Sequence, residues 1–215
     1  MNKKALILTF LFFIISLFVV FLLTDFPLSF SKSFRTKKIS AIAIRDNVSA
    51  FEKRGSALFT IPYLKKYYFD FTYVEAKHNW IGAADFRRPA EKLLEKCDSL
   101  DVYILSHGNY FYQWFYGMDS SLRKKIRLVY NTGCDNDSQY VMYKEQMVSY
   151  YVGHTGEKSL SPIFYVYFLR RMFSENSIES IVRESNVSTE NKLRLFISDE
   201  DTINGSLGVF HDLRK

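Results

Sequence analysis

Two residues stand where a nucleophile and its base would be of use to each other. His107 lies in Leu105-Ser106-His107-Gly108 and Cys134 in Tyr130-Asn131-Thr132-Gly133-Cys134, 27 residues on. Each follows a short run that reads as a strand, the continuously apolar Val102 to Leu105 and the segment Ile126 to Tyr130. A thiolate is the reactive nucleophile, and a nearby imidazole can take its proton and hand it on to a leaving group. Gly108 lacks a Cβ, so its backbone can approach a substrate carbonyl closely. Its N–H and that of Cys134 would together form an oxyanion hole, in which each donor is worth about 3 kcal/mol.

Such a pair works only if the two strands are neighbours, about 4.8 Å apart. The rest of the chain supplies that frame. Ile39 to Ile44 is small and β-branched and reads as a buried strand, and Phe69 to Val74 as a second. Pro89 opens a helix whose Ala90, Leu93, Leu94 and Cys97 fall on one face. Met147 to Val152 is a fifth strand in chain order. Ser161 and Pro162 are the N-cap and first residue of an apolar helix running to Phe173. Another helix begins near Ser177, and Leu195 to Ile197 reads as a last strand. Strands alternating with helices predict an α/β fold, a mostly parallel sheet covered by helices on both faces. Ligands of such sheets bind at the carboxyl ends of the strands. That singles out Arg45-Asp46, Ser106-His107-Gly108 and Gly133-Cys134-Asp135.

Composition narrows the classes. The chain has 215 residues, 47% hydrophobic and 24% charged, with 9 Gly and 4 Pro, which suits a globular domain and not a low-complexity one. Two cysteines exclude a disulfide-stapled scaffold and a four-cysteine zinc site, and histidines at 78, 107, 154 and 211 have no metal-ligand spacing. No metal or cofactor is expected. The net charge of +6 is spread without a concentrated basic run, so no nucleic-acid partner is expected. Ala5 to Leu23 is apolar apart from Thr9 and Ser16 and follows Lys3 and Lys4. At 1.5 Å per residue it is long enough for a bilayer and long for a signal peptide. Residues 1–31 are therefore read as a signal anchor or signal peptide, 32–38 as a basic linker and 39–215 as the α/β domain. The expected location is a membrane, held through residues 5–23 with the domain outside the cytoplasm, or secretion.

A strand ending in His-Gly followed by one ending in Gly-Cys resembles the caspase-like cysteine peptidases, the clan of caspases, legumain, gingipains, clostripain, separase and CHAT-domain proteases. The order of elements is similar over residues 38–200, and the motif likeness rests on about a dozen residues. The resemblance implies a caspase-haemoglobinase fold and a Cys-His dyad. It makes Cys134 the nucleophile, His107 the catalytic histidine and Gly108 the oxyanion glycine. It further implies cleavage of peptide or protein substrates through a thioester acyl-enzyme. In that clan the loop after the first strand lines the specificity pocket. An inward Arg45 would favour an acidic residue before the cleaved bond, and an inward Asp46 a basic one. The alternative from another class is a non-catalytic binding or signalling domain of the same fold at the membrane. A flavodoxin-like nucleotide binder lacks support, because no Gly-rich phosphate loop is present.

Other residues have simpler readings. Cys97 belongs to the buried face of its helix. His154, in Gly153-His154-Thr155-Gly156, reads as a loop histidine, since Glu157 stands where a nucleophile elbow requires glycine. The aromatic run Tyr110 to Tyr116 suits either a substrate platform or packing on the sheet. Asp135 and Asp137 alone do not make a calcium loop.

Overall fold

Small and β-branched residues set the centre of the sheet. The computed structural model describes residues 38–46, 49–76, 82–107, 110–172 and 177–214. The chain divides into two units, Met1–Ser33 and Phe34–Lys215, and the first lies wholly outside the described residues. The anchor expected at residues 5–23 therefore lies outside them too. Among the described residues no helix is long and apolar enough to cross a membrane.

Six strands form one sheet: β1 (Ile39–Arg45), β2 (Phe71–Glu75), β3 (Ser99–Leu105), β4 (Ile126–Asn131), β5 (Tyr150–Gly153) and β6 (Val209–Asp212). Their order is β2-β1-β3-β4-β5-β6. All neighbours are parallel except the β5–β6 pair, which is antiparallel. The helices are α1 (Ala50–Tyr67), α2 (Ala83–Leu94), α3 (Ser120–Arg123), α4 (Tyr140–Glu145), α5 (Ser161–Arg171), α6 (Ile178–Leu193) and α7 (Glu200–Gly205). The result is the mixed α/β architecture read from the sequence.

Alternation along the strands feeds two cores. On one face Ile42, Ile44, Val102, Ile104 and Val129 meet Phe86, Ala90 and Leu94 of α2. The aromatic run joins this core as a 3-10 turn, Phe111–Phe115. Trp114 and Phe115 are buried against Phe86, and Phe111 is buried against Trp114, while Tyr116 is exposed. On the other face Ala41, Ala43, Tyr103, Leu105, Leu128 and Tyr130 meet Leu64 of α1, Phe164 and Phe168 of α5, and Ile181 of α6. Burial on both faces matches the continuously apolar stretches Ala41–Ile44, Val102–Leu105 and Leu128–Tyr130.

Several boundaries differ from expectation. The second strand starts at Phe71, not Phe69, and Phe69 is exposed. α2 starts after Gly82, whose N–H donates to the Asp85 carboxylate at 3.0 Å, and it carries Pro89 in its interior. β5 begins only at Tyr150, because Met147, at φ 64°, closes the turn after α4. Ser161 is inside α5, not its cap, and its hydroxyl donates to the Thr132 carbonyl at 2.6 Å. Leu195 to Ile197 is a turn, not a strand, with Leu195 and Phe196 exposed. The strand beside β5 is β6, placed by the Asn186 amide, which donates to the Gly208 carbonyl and accepts its N–H.

Candidate active site

The strand order reverses between β1 and β3. β2 lies on one side of β1 while β3, β4 and β5 extend on the other. Chains leaving the carboxyl ends there diverge and open a crevice. Arg45 closes β1 and is buried. Its Nη1 donates to the Leu105 carbonyl at 3.0 Å. Its Nε is buried with no hydrogen-bond partner among the described residues. A cavity of about 230 Å³ lies beside it, lined by Arg45, Glu52, Phe59, Leu105, Thr132 and Tyr165 among others. Glu52 belongs to a capping box at the start of α1. The Ser49 hydroxyl holds its carboxyl below the usual range, with smaller help from the charges of Arg45 and His107.

Asp46 does not line that cavity. Its Oδ2 accepts the backbone N–H of His107 at 2.8 Å and lies 3.6 Å from His107 Nδ1. The His107 side chain is 68% exposed. Of the two residues read as lining a pocket, Arg45 lines the cavity and Asp46 does not; Asp46 reaches His107 with Oδ2 and stands 3.9 Å from Arg45 Nε with Oδ1.

His107 and Cys134 leave the sheet in step. Ile104 of β3 pairs with Asn131 of β4, and each of the two residues stands three positions beyond its partner in that pair. Thr132 stitches the two exits together. Its N–H and hydroxyl both donate to the Ile104 carbonyl, at 2.9 and 3.1 Å, and its hydroxyl oxygen accepts the Ser106 N–H at 3.0 Å. Cys134 is half-buried and carries no disulfide. Neither side chain is in a core. Gly108 lies outside the described residues.

The turn that carries Cys134 is fixed from below. The Asn131 side chain accepts the Gly133 N–H at 2.9 Å. Asp135 takes a left-handed φ of 45° and donates its N–H to the Gly156 carbonyl. Asn136 is wholly buried. Its amide donates to the Gly133 carbonyl at 2.6 Å and accepts the His154 N–H at 2.8 Å. Asp137 accepts a 2.6 Å contact from His211 of β6. Gly153 has no side chain because none fits: a Cβ there would lie 2.5 Å from Asn136 Oδ1.

His154 is wholly buried, and burial pulls its pKa down to about 4. The neutral ring donates from Nδ1 to the Leu207 carbonyl at 3.0 Å and accepts from the Tyr130 hydroxyl at 3.1 Å. It braces the wall behind the turn that carries Cys134. Cys97 is buried as expected, but it lies three residues past the end of α2 and not on its face. The sequence reading missed Thr132 and Asn136, which carry no motif. It also missed the Ser49/Glu52 capping box, whose Ser-x-x-Glu spacing was there to read.

No protein-family model matches the chain, nor does any curated protein. Among solved structures it is similar to a chain of the separase–securin complex of Saccharomyces cerevisiae. The identity is 13% and the TM-score 0.51. The match covers 81% of this chain but 12% of that one. At that identity the likeness speaks to the fold alone, a remote caspase-like fold.

Proposed function

We propose that the domain is a cysteine peptidase with Cys134 as nucleophile and His107 as general acid and base. The observation that carries this reading is the equal step of the two residues past the Ile104–Asn131 pair on adjacent parallel strands. Their exposure supports it, since a structural cysteine and histidine would turn into the cores on either side. His107 takes the thiol proton as Cys134 sulfur attacks the scissile carbonyl. The C–N bond then breaks, and the same proton goes to the leaving amine. Water, deprotonated by His107, releases the acyl group from the thioester. The backbone N–H groups of Cys134 and Gly108 would stabilise the oxyanion. The cavity beside Arg45 would take the residue preceding the cleaved bond. The Arg45 guanidinium, whose Nε makes no hydrogen bond among the described residues and stands 3.9 Å from Asp46 Oδ1, favours an acidic side chain there over a basic one, against the opposing carboxylate of Glu52 on the same wall. Residues 5–23 would hold this domain at a membrane, outside the cytoplasm.

The test is digestion of a peptide library by the full chain in detergent, read by mass spectrometry, with Cys134→Ala in parallel. Cleavage by the wild type alone, after Asp or Glu, is expected. Arg45→Ala should lower cleavage after acidic residues about ten- to hundredfold, the worth of one charge-assisted hydrogen bond. Identical product patterns from wild type and Cys134→Ala would sink the reading.

A further inference from the structure

The sequence offers Asp46 no role beyond that of a pocket residue, yet it is seated elsewhere. The Asp46 N–H donates to the Leu105 carbonyl at 3.3 Å, which carries the β1–β3 pairing one residue past the strand ends. This delivers the carboxylate to the residue that follows Ser106. Oδ2 accepts the His107 backbone N–H at 2.8 Å and stands 3.6 Å from Nδ1 of the ring. Oδ1 is buried without a hydrogen-bond partner among the described residues, 3.9 Å from Arg45 Nε. The Asp46 side chain is 23% exposed against 68% for His107. A ring so open to solvent is not oriented by packing. The half-sheltered carboxylate beside it is the group that can orient it. Glu52 is the other carboxylate to which His107 is electrostatically coupled, but its oxygen is committed to the Ser49 hydroxyl and N–H.

We propose that Asp46 is a positioning residue for His107. It fixes the residue by its backbone, draws Nδ1–H toward itself and so leaves Nε2 for the Cys134 thiol, making a Cys-His-Asp arrangement of the dyad. A ring held in one tautomer presents its lone pair to one partner, and the carboxylate favours the imidazolium formed when the thiol gives up its proton. This inference rests on the peptidase reading, and its test separates the two.

The experiment uses the full chain in detergent and needs no substrate. The rate of Cys134 alkylation by iodoacetamide at pH 6 is followed on its tryptic peptide for wild type, His107→Gln and Asp46→Asn. Asp46→Asn keeps an acceptor for the His107 N–H and removes only the charge. Slowing of about tenfold or more is expected for each variant, as expected when a thiolate loses its stabilising partner. In parallel, side-chain nitrogen-15 shifts of histidine-labelled wild type should place the neutral His107 proton on Nδ1, a readout that requires no variant to fold. A His107→Gln rate equal to wild type overturns both the dyad and the role of Asp46. A slowed His107→Gln beside an unchanged Asp46→Asn overturns the role of Asp46 alone, as does a neutral His107 protonated on Nε2.

Discussion

At the end of β5 the buried His154 ring keeps its neutral form down to about pH 4, whereas the same side chain in the unfolded chain protonates near 6.5. Unfolding between those values therefore takes up a proton. The stability that His154 supports is complete above pH 6.5, falls as the pH drops from 6.5 to 4, and is level below that. The loss is on the order of 3 kcal/mol. Urea unfolding at pH 7.5 and 4.5 should show it. His154→Asn should be weaker than wild type at pH 7.5 and lose less on acidification. Equal losses in the two proteins would reject the assignment. His107 and Cys134 were legible as candidates because residue type and strand-end position are both written in the sequence. The partner of Asp46 was not. Whether a carboxylate after one strand faces a cavity or a neighbouring loop depends on register, and register is set by pairing between segments 60 residues apart.

The element on which the candidate chemistry turns is the loop from Asn131 to Asp137, and Gly153 of β5 is the floor under it. A methyl group there would meet Asn136 Oδ1 at 2.5 Å and the Tyr151 ring at 2.9 Å. Gly153→Ala should cost about 1–3 kcal/mol, the usual range for overpacking. By moving Asn136 it should also change the alkylation rate of Cys134. Thermal melts and thiol labelling together check this. A variant that melts lower yet labels like wild type would separate the floor from the turn. At this scale the sequence read well where runs were apolar on both faces, as in β1, β3 and β4. It read poorly for α1, whose apolar residues surround the helix: Leu64 is buried and Leu58 is 77% exposed. With no stripe there is no periodic signal. Leu195 to Ile197 looked like a strand because three apolar residues do not distinguish a strand from the turn ending a helix. β6 was missed because Val209-Phe210-His211-Asp212 is short and half polar.

Across the whole molecule, the sheet is held at its other end by a polar knot. Asp101, wholly buried in β3, accepts Arg127 Nε of β4 at 2.8 Å, a second bond from Arg127 Nη2, and the Tyr68 hydroxyl at 2.7 Å. Tyr68 is in turn 2.5 Å from the Tyr103 hydroxyl. Removing one member of such a buried pair strands the other. Asp101→Ala should cost about 3 kcal/mol in denaturant unfolding. The strand exits lie at the opposite ends of β3 and β4, so the labelling rate of Cys134 should stay that of wild type. A changed rate would mean that the two ends of the sheet are coupled. The parallel order and both cores follow from patterns a sequence carries. The knot does not, since four polar residues scattered over 60 positions announce nothing until the strands are paired.

Thr132 sets a tolerance. The separation between the two exits is fixed through one threonine that bonds to Ile104 on one strand and to Ser106 on the way to His107. That path is a few bonds long and passes through no helix. Errors elsewhere, such as a helix displaced by a surface substitution or loosened by heat, reach the gap only after the sheet itself has absorbed them. The gap between His107 and Cys134 can therefore be held more tightly than the surrounding helices are, and the outer parts of the domain are left free to vary.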